Sequence, residues 1–239
     1  MIIINFLKSY APSPFIEILR WVRGLIVDQY AIKSYSQEGE DMILRRIFEG
    51  QKNGFYIDVG AHHPRLFSNT YFFYKQGWTG VNIEPNPHAL RGFQSDRPRD
   101  LNLNLGISDT NSVLTYYYFD EPALNTFDKG VVKSRLTNTS YKVIKAEDVT
   151  VERLDHVLKK YFPIGVAIDF LSVDVEGLDL AVLRSNDWQL FRPRYVLAEA
   201  LNLTLDEAMQ GDVVLFMVTQ GYALFGRTYN TLIFCDKTT

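Results

Sequence analysis

The sequence predicts an α/β fold: a doubly wound, mostly parallel sheet finished by an antiparallel hairpin. Three observations carry that expectation. Short apolar runs alternate with helical patterns over most of the chain, the signature of strands connected by helices. The run FYIDVG reads as a buried strand that ends on a glycine, the usual way such a sheet delivers backbone to a ligand. The last two apolar runs, Tyr222–Phe225 and Thr231–Cys235, are separated by little more than the polar turn Arg227–Asn230. A parallel pair needs a long crossover, so these two must be antiparallel to each other.

The elements follow in order. Phe55–Val59 is a short strand stopped by Gly60. Ser68–Gln76 has helical spacing, with Ser68 or Asn69 as N-cap and Gly77 just beyond its end. Thr79–Glu84 is the next strand, and Pro85-Asn86-Pro87 stops it. His88–Gln94 is a short helix. Leu101–Leu105 and Leu114–Phe119 are strand-like. Asp120 to about Ala146 is irregular and polar, too long for a simple connection and therefore a candidate binding loop. Val151–Tyr161 is an amphipathic helix. Ile168–Asp174 is a central strand, Leu178–Arg184 a helix and Tyr195–Glu199 a strand. Asp206–Gln220 reads as one long helix ended by Gly221.

Composition bounds the function. With 239 residues, 46% apolar and 22% charged, the chain can bury a full core. A net charge of −3 argues against a nucleic-acid-binding surface. The single cysteine, Cys235, excludes an intrachain disulfide and a multi-cysteine zinc site, and fits a reducing cytoplasm. No stretch approaches the length of a membrane span, and the opening MIIINFLKSY lacks the basic lead and apolar length of a secretion signal. In PFIEILRWVRGLI, residues Phe15, Ile18, Leu19, Val22 and Ile26 recur at helical spacing. The plain reading is a helix docked on its own domain; a peripheral membrane helix is the second.

Ligands in such sheets bind beyond the carboxyl ends of the strands. Four ends matter: Asp58-Val59-Gly60-Ala61, Glu84-Pro85-Asn86, Asp174-Val175-Glu176-Gly177 and Glu199-Ala200. Glu84, one helix and one strand after Gly60, suits the two hydroxyls of a ribose. The run after Asp58 is Val-Gly-Ala-His-His-Pro-Arg-Leu-Phe-Ser, which lacks the second and third glycines of a dinucleotide fingerprint. A nucleoside without a pyrophosphate fits better than NAD.

SYSQEGEDMIL, FYIDVGAHHP, SNTYFFYKQGW, GVNIEPNP and DFLSVDVEGLDLAVLRSNDW, then GY and NTLIF, occur in that order. Together they resemble the FkbM family of S-adenosylmethionine-dependent methyltransferases, over roughly residues 34–235. The resemblance implies a class I methyltransferase Rossmann-like fold with a seven-stranded sheet, and O-methylation of a small-molecule or glycan acceptor, often a sugar. The methyltransferase domain is thus expected over 34–239; residues 1–33 fall outside the resemblance and read as a helical extension, and the length and polarity of 119–146 make it a possible acceptor loop. Carried over by position, Asp58, Gly60 and Ala61 would line the methionine part of the cofactor. Glu84 would hold the ribose. Asn86 and the turn Gly106-Ile107-Ser108 would lie near the adenine, and Gln37 would touch the amino-acid end. Asn69 or Ser68, at a helix start, would meet the carboxylate.

Methyl transfer is an in-line displacement, so the acceptor hydroxyl must be aligned and its proton removed. His62 or His63 is a candidate base. A divalent metal such as magnesium at Asp174 and Glu199, with Glu176 and Asn202 close by, is the other route. Each has a plainer reading: loop-shaping histidines, a contact from Asp174 to the cofactor amine, a structural Glu199. Asn125, Thr126 and Phe127 offer hydrogen bonds and an apolar face for a sugar ring. Two rival functions sit on the same sheet: an NAD-dependent oxidoreductase, and a non-catalytic cofactor-binding scaffold.

Overall fold

The computed structural model describes residues 17–18, 21, 30–163, 165–201 and 203–238. The chain divides into two compact units, Met1–Lys33 and Ser34–Thr239. The helix expected across residues 15–26 lies outside the described residues except for Glu17, Ile18 and Trp21, and Asn202 also lies outside them.

The second unit begins with α1 (Glu40–Ile47), β1 (Phe55–Val59), α2 (Tyr71–Lys75), β2 (Thr79–Ile83), α3 (Pro87–Asp96) and β3 (Leu101–Leu103). It continues with β4 (Gly106–Ile107), β5 (Ser112–Phe119), a 3-10 turn (Pro122–Leu124), α4 (Lys129–Asn138), β6 (Val143–Glu152) and α5 (Leu154–Tyr161). It closes with β7 (Phe170–Val173), α6 (Asp179–Arg184), β8 (Tyr195–Glu199), α7 (Leu205–Gln210), α8 (Asp212–Thr219), β9 (Tyr222–Arg227) and β10 (Thr231–Asp236). The main sheet has seven strands in the order β3-β2-β1-β7-β8-β10-β9. The first five are mutually parallel. Strand β10 is antiparallel to both neighbours, which makes the expected C-terminal hairpin. This is the class I methyltransferase Rossmann-like arrangement.

Strand β1 is central and buried along its whole length, which is why it reads as an unbroken apolar run rather than an alternation. Phe55, Ile57 and Val59 join one core layer with Val81, Ile83, Leu171 and Val173. Tyr56 points to the other layer, among Phe48, Phe73, Trp78 and Phe170. That leaves Asp58, a carboxyl in the middle of the core, to be satisfied. Thr70 Oγ1 donates to its Oδ2 at 2.7 Å, and Arg97 Nη1 donates to the same hydroxyl at 2.9 Å. Arg97, fully buried, spends its Nε on Asp100 Oδ2 at 2.8 Å and its Nη2 on the Tyr56 hydroxyl at 2.8 Å. Asp100 also accepts from that hydroxyl, from the Gly80 amide and from Asn82 Nδ2.

Four sequence expectations change. The helix expected over Val151–Tyr161 begins only at Leu154, because Val149-Thr150-Val151 is β-branched and pairs with Ser112–Leu114. The segment expected to be irregular from Asp120 to Ala146 contains the 3-10 turn, α4 and the start of β6. Its α4 is capped by Asp128, whose Oδ1 accepts from the amides of Gly130 and Val131. With β4 and β5, strand β6 makes a separate three-stranded sheet in the order β4-β6-β5. The helix expected over Asp206–Gln220 breaks at Gly211, which is extended at φ −70°, ψ 153°, a residue of low helix propensity. Finally, Thr70 rather than Ser68 or Asn69 is the N-cap residue of α2. Its hydroxyl serves Asp58, while Ser68 Oγ accepts from the Tyr71 amide.

Replacing Arg97 with Met leaves Asp100 buried without its cation. Loss of one partner from a buried ion pair costs about 3–5 kcal/mol, so urea unfolding of Arg97→Met is expected to show a loss of that order. An unchanged midpoint refutes this account of the core.

Candidate active site

A cleft of about 900 Å³, including its open mouth, lies at the carboxyl ends of β1, β2 and β7. Its floor is Gly60. The Gly60 amide donates to the Ile83 carbonyl at 3.0 Å, and its φ of 80° is one that side chains disfavour. A Cβ there would sit 1.8 Å from the Asp174 carbonyl oxygen. No other residue fits, and the missing side chain lets the Asp174 backbone pack directly against the end of β1.

Glu84 stands at the end of β2. Its Oε2 accepts from the His62 amide and its Oε1 from the Asn86 amide, both at 2.8 Å. Burial nevertheless pushes its pKa up to about 7. Each carboxylate oxygen keeps a free lone pair, so the anion can still accept from two neighbouring hydroxyls. Beyond Glu84 the wall is apolar and aromatic. Ile83, Leu105 and Ile107 lie beside Tyr116 and Phe127, whose ring centroids are 4.6 Å apart. Gly106 makes room for the Phe127 ring, since a Cβ there would meet its Cζ at 2.6 Å. This wall suits the face of a flat heterocycle.

The opposite wall is acidic. Carboxylate oxygens of Asp174, Glu176 and Glu199 all lie within 4.8 Å of one another. Asp179 stands behind them, accepting from the Glu199 and Gly177 amides at 3.4 Å. Protein packed around these groups, and then their mutual repulsion, raise Asp174 well above the carboxylate range and Glu199 to about 11; burial raises Asp179 to about 7. Asp174 is exposed where it opens onto the cleft, so solvent there screens part of its rise. Arg135 of α4 forms an ion pair with Glu176, and Thr126 Oγ1 donates to the Glu176 carbonyl at 2.8 Å. These two bonds draw the segment after β5 against the wall.

Among the described residues, three non-glycine positions have positive φ: His62, Phe67 and Glu176. All three line this cleft. Such backbone concentrates where a site demands it.

The cleft brings together Gln37, Asp58, Gly60, Ala61, His62, Asn69, Glu84, Asn86 and Asp174. Asn69 Nδ2 donates to Ser172 Oγ at 3.0 Å. Glu199 reaches the site through its carboxylate at the acidic wall. His63 and Ser108 are not brought in. His63 is exposed, and its Nδ1 accepts from the amides of Arg65 and Leu66 at 3.1 and 3.0 Å, which shapes the loop. The Ser108 amide donates to the Glu152 carbonyl, behind the cleft wall. His62 lines the cleft and stacks on Phe67; burial, then the neighbouring His63, lowers its pKa. Sequence reasoning missed Phe67, Ser172, Arg135 and the part played by Tyr116. Nothing local marks Arg135, whereas Tyr116 was visible as one face of an alternating tyrosine strand.

The family described as methyltransferase FkbM domain matches residues 58–224. No curated protein matches the chain. Among solved structures it is similar to a TehB-like SAM-dependent methyltransferase from Corynebacterium glutamicum. That protein is 11% identical, the match covers 95% of this chain and 100% of that one, and the TM-score is 0.39.

The acidic wall sets a pH dependence. With Glu199 raised to about 11, the folded protein holds a proton that the unfolded chain releases near 4.5. Stability therefore falls as pH rises above the unfolded value and goes on falling across pH 7–9. The lowered His62 and His63 act only below about pH 6.5. The melting temperature of the ligand-free protein is expected to drop from pH 7 to 9, and Glu199→Gln to flatten that slope. A wild-type melting temperature constant over this range contradicts the assignment.

Proposed function

The chain belongs to the FkbM methyltransferase family, and on that premise we propose that it methylates a hydroxyl of a sugar, a glycan or a glycosylated metabolite. The family match makes it an S-adenosylmethionine-dependent methyltransferase. The observation that carries the site assignment is the meeting of Gly60, Glu84 and the Tyr116–Phe127 wall in one cleft. The residues present fit the cofactor. Glu84 would accept hydrogen bonds from the ribose hydroxyls, the aromatic wall would take the adenine with Asn86 at its edge, and the small residues Gly60 and Ala61 would admit the methionine portion. Gln37, Asp58, Asn69 and Asp174 surround its amino-acid end, where Asp174 suits the ammonium group.

When bound, S-adenosylmethionine supplies an electrophilic methyl carbon on a sulfonium. The chain must hold an acceptor oxygen in line with it, exclude water and take one proton. His62 suits the proton transfer, because its depressed pKa leaves the imidazole neutral at pH 7 and ready to accept at a ring nitrogen. The segment 119–146 is the acceptor-side element in this reading, supported by Pro122, Ala123, Asn125 and Phe127 in the cleft wall. A reducing cytoplasm remains the proposed location, in keeping with the free thiol of Cys235; among the described residues no helix is long and apolar enough to cross a membrane.

A second reading of the acidic wall is favoured by its three converging carboxylates. A hard divalent cation would be held by Asp174, Glu176 and Glu199, and would lower the pKa of a bound acceptor hydroxyl.

Calorimetric titration with S-adenosylhomocysteine, with and without magnesium and after chelation, tests both. Micromolar binding is expected, and its loss in Gly60→Val. No binding under any condition overturns the cofactor assignment; Gly60→Val with wild-type affinity relocates it. Affinity that rises with magnesium, and stops doing so in Glu199→Gln, selects the metal reading. In a glycan acceptor screen, His62→Ala is expected to lower turnover by about 10²–10⁴-fold with little change in cofactor affinity. Full turnover in that variant removes His62 as the base.

A further inference from the structure

We infer that Glu38 is a positioning residue, which holds Gln37 in the cleft wall by fastening it to the turn between β9 and β10. This rests on the cofactor reading of the cleft. Gln37 reaches the cleft from the bend before α1, a segment that belongs to no strand of either sheet. Its position must come from its neighbours.

Both neighbours are pinned. On one side, Ser36 Oγ donates to Asp41 Oδ1 at 2.8 Å and accepts from the Gly39 amide at 3.2 Å. On the other, the Glu38 amide donates to Glu40 Oε2 at 3.0 Å. The Glu38 carboxylate then spans to the far end of the sequence. Its Oε2 accepts from Thr228 Oγ1 at 2.8 Å and from the Asn230 amide at 2.7 Å. Its Oε1 accepts from Asn230 Nδ2 at 2.7 Å. Three bonds to one carboxylate, across 190 residues of sequence, make a rigid and charge-assisted clasp.

The clasp does not end at the turn. The Asn230 carbonyl accepts from the Ala200 amide at 2.7 Å, and Thr231 pairs with Glu199 in the sheet. Glu38 therefore joins the wall that carries Gln37 to the strand end that carries Glu199. Gln37 belongs to the proposed cofactor end of the cleft and Glu199 to its acidic wall, so one buttress sets the spacing between them. Neither Glu38 nor Asn230 lines the cleft. Their effect on a ligand must pass through the residues they hold.

A double-mutant cycle on S-adenosylhomocysteine affinity separates this role from general stabilisation. Glu38→Ala is expected to weaken binding about tenfold, and Glu38→Gln, which keeps the length and one acceptor oxygen, by less. In the Gln37→Ala background the same substitutions are expected to add almost nothing. A residue that only stabilises the fold lowers the melting temperature in both backgrounds and leaves the affinity effects additive. Asn230→Ala, which removes the side-chain donor but keeps the backbone bond, gives a second cycle if Glu38→Ala does not fold. Additive effects, or a Gln37→Ala protein with wild-type affinity, overturn the assignment of Glu38 alone. A wild-type protein that ignores S-adenosylhomocysteine overturns the cofactor reading and this inference together.

Discussion

The site depends on a carboxylate that never reaches it. Asp100, just before β3, is buried and accepts bonds from Tyr56 of β1, Gly80 and Asn82 of β2, and Arg97. Through Arg97 the same network continues to Thr70 and so to Asp58. A polar group inside a core is tolerated only when its partners are complete. The partners here come from β1 and β2, two of the three strands whose ends form the cleft, and from the residue that starts α2. Once they are satisfied, the strand ends have a single arrangement. Asp58 can then be both a core residue and a cleft residue.

The two walls of the cleft work by different physics. The side with Glu84 is mostly shape: glycines that let rings and backbone approach, and one carboxylate with its amide donors already in place. The side with Asp174, Glu176 and Glu199 is mostly charge. Their mutual repulsion is only partly offset, because Arg135 pairs with Glu176 alone. A wall in this condition favours whatever brings positive charge or a shareable proton. Arg135 comes from α4, so the segment after β5 is bound to the site by electrostatics as much as by packing.

Much of this was legible in the sequence. Strand β1, its terminal glycine, Glu84 and the closing hairpin all follow from local rules: an apolar run on a buried strand, a residue that permits positive φ, a turn too short for a crossover. Tertiary competition was not legible. Val149-Thr150-Val151 joins a strand because Ser112–Leu114 lies opposite, a partner about forty positions away. His62 and His63 look alike as neighbours in sequence. They separate only when backbone amides claim the Nδ1 of His63 and the Glu84 carboxylate claims the amide of His62. Arg97 reads as one of several surface charges in RPRD until its donors are counted. Side-chain partners distant in sequence decide such cases, and no window of neighbours contains them.

The place of β10 in the sheet has a consequence for how the protein is made. It lies between β8 and β9 although it follows both in the chain. During synthesis β9 emerges with no strand to pair with, and β8 presents an open edge. That edge is built from Val196, Leu197 and Ala198, all fully buried in the finished fold. Until residues 231–236 leave the ribosome, an apolar strand edge of the kind that recruits other chains stays uncovered. A polypeptide that has not yet docked β10 is thus open to aggregation through that edge, and a chain cut off before residue 231 would carry it permanently.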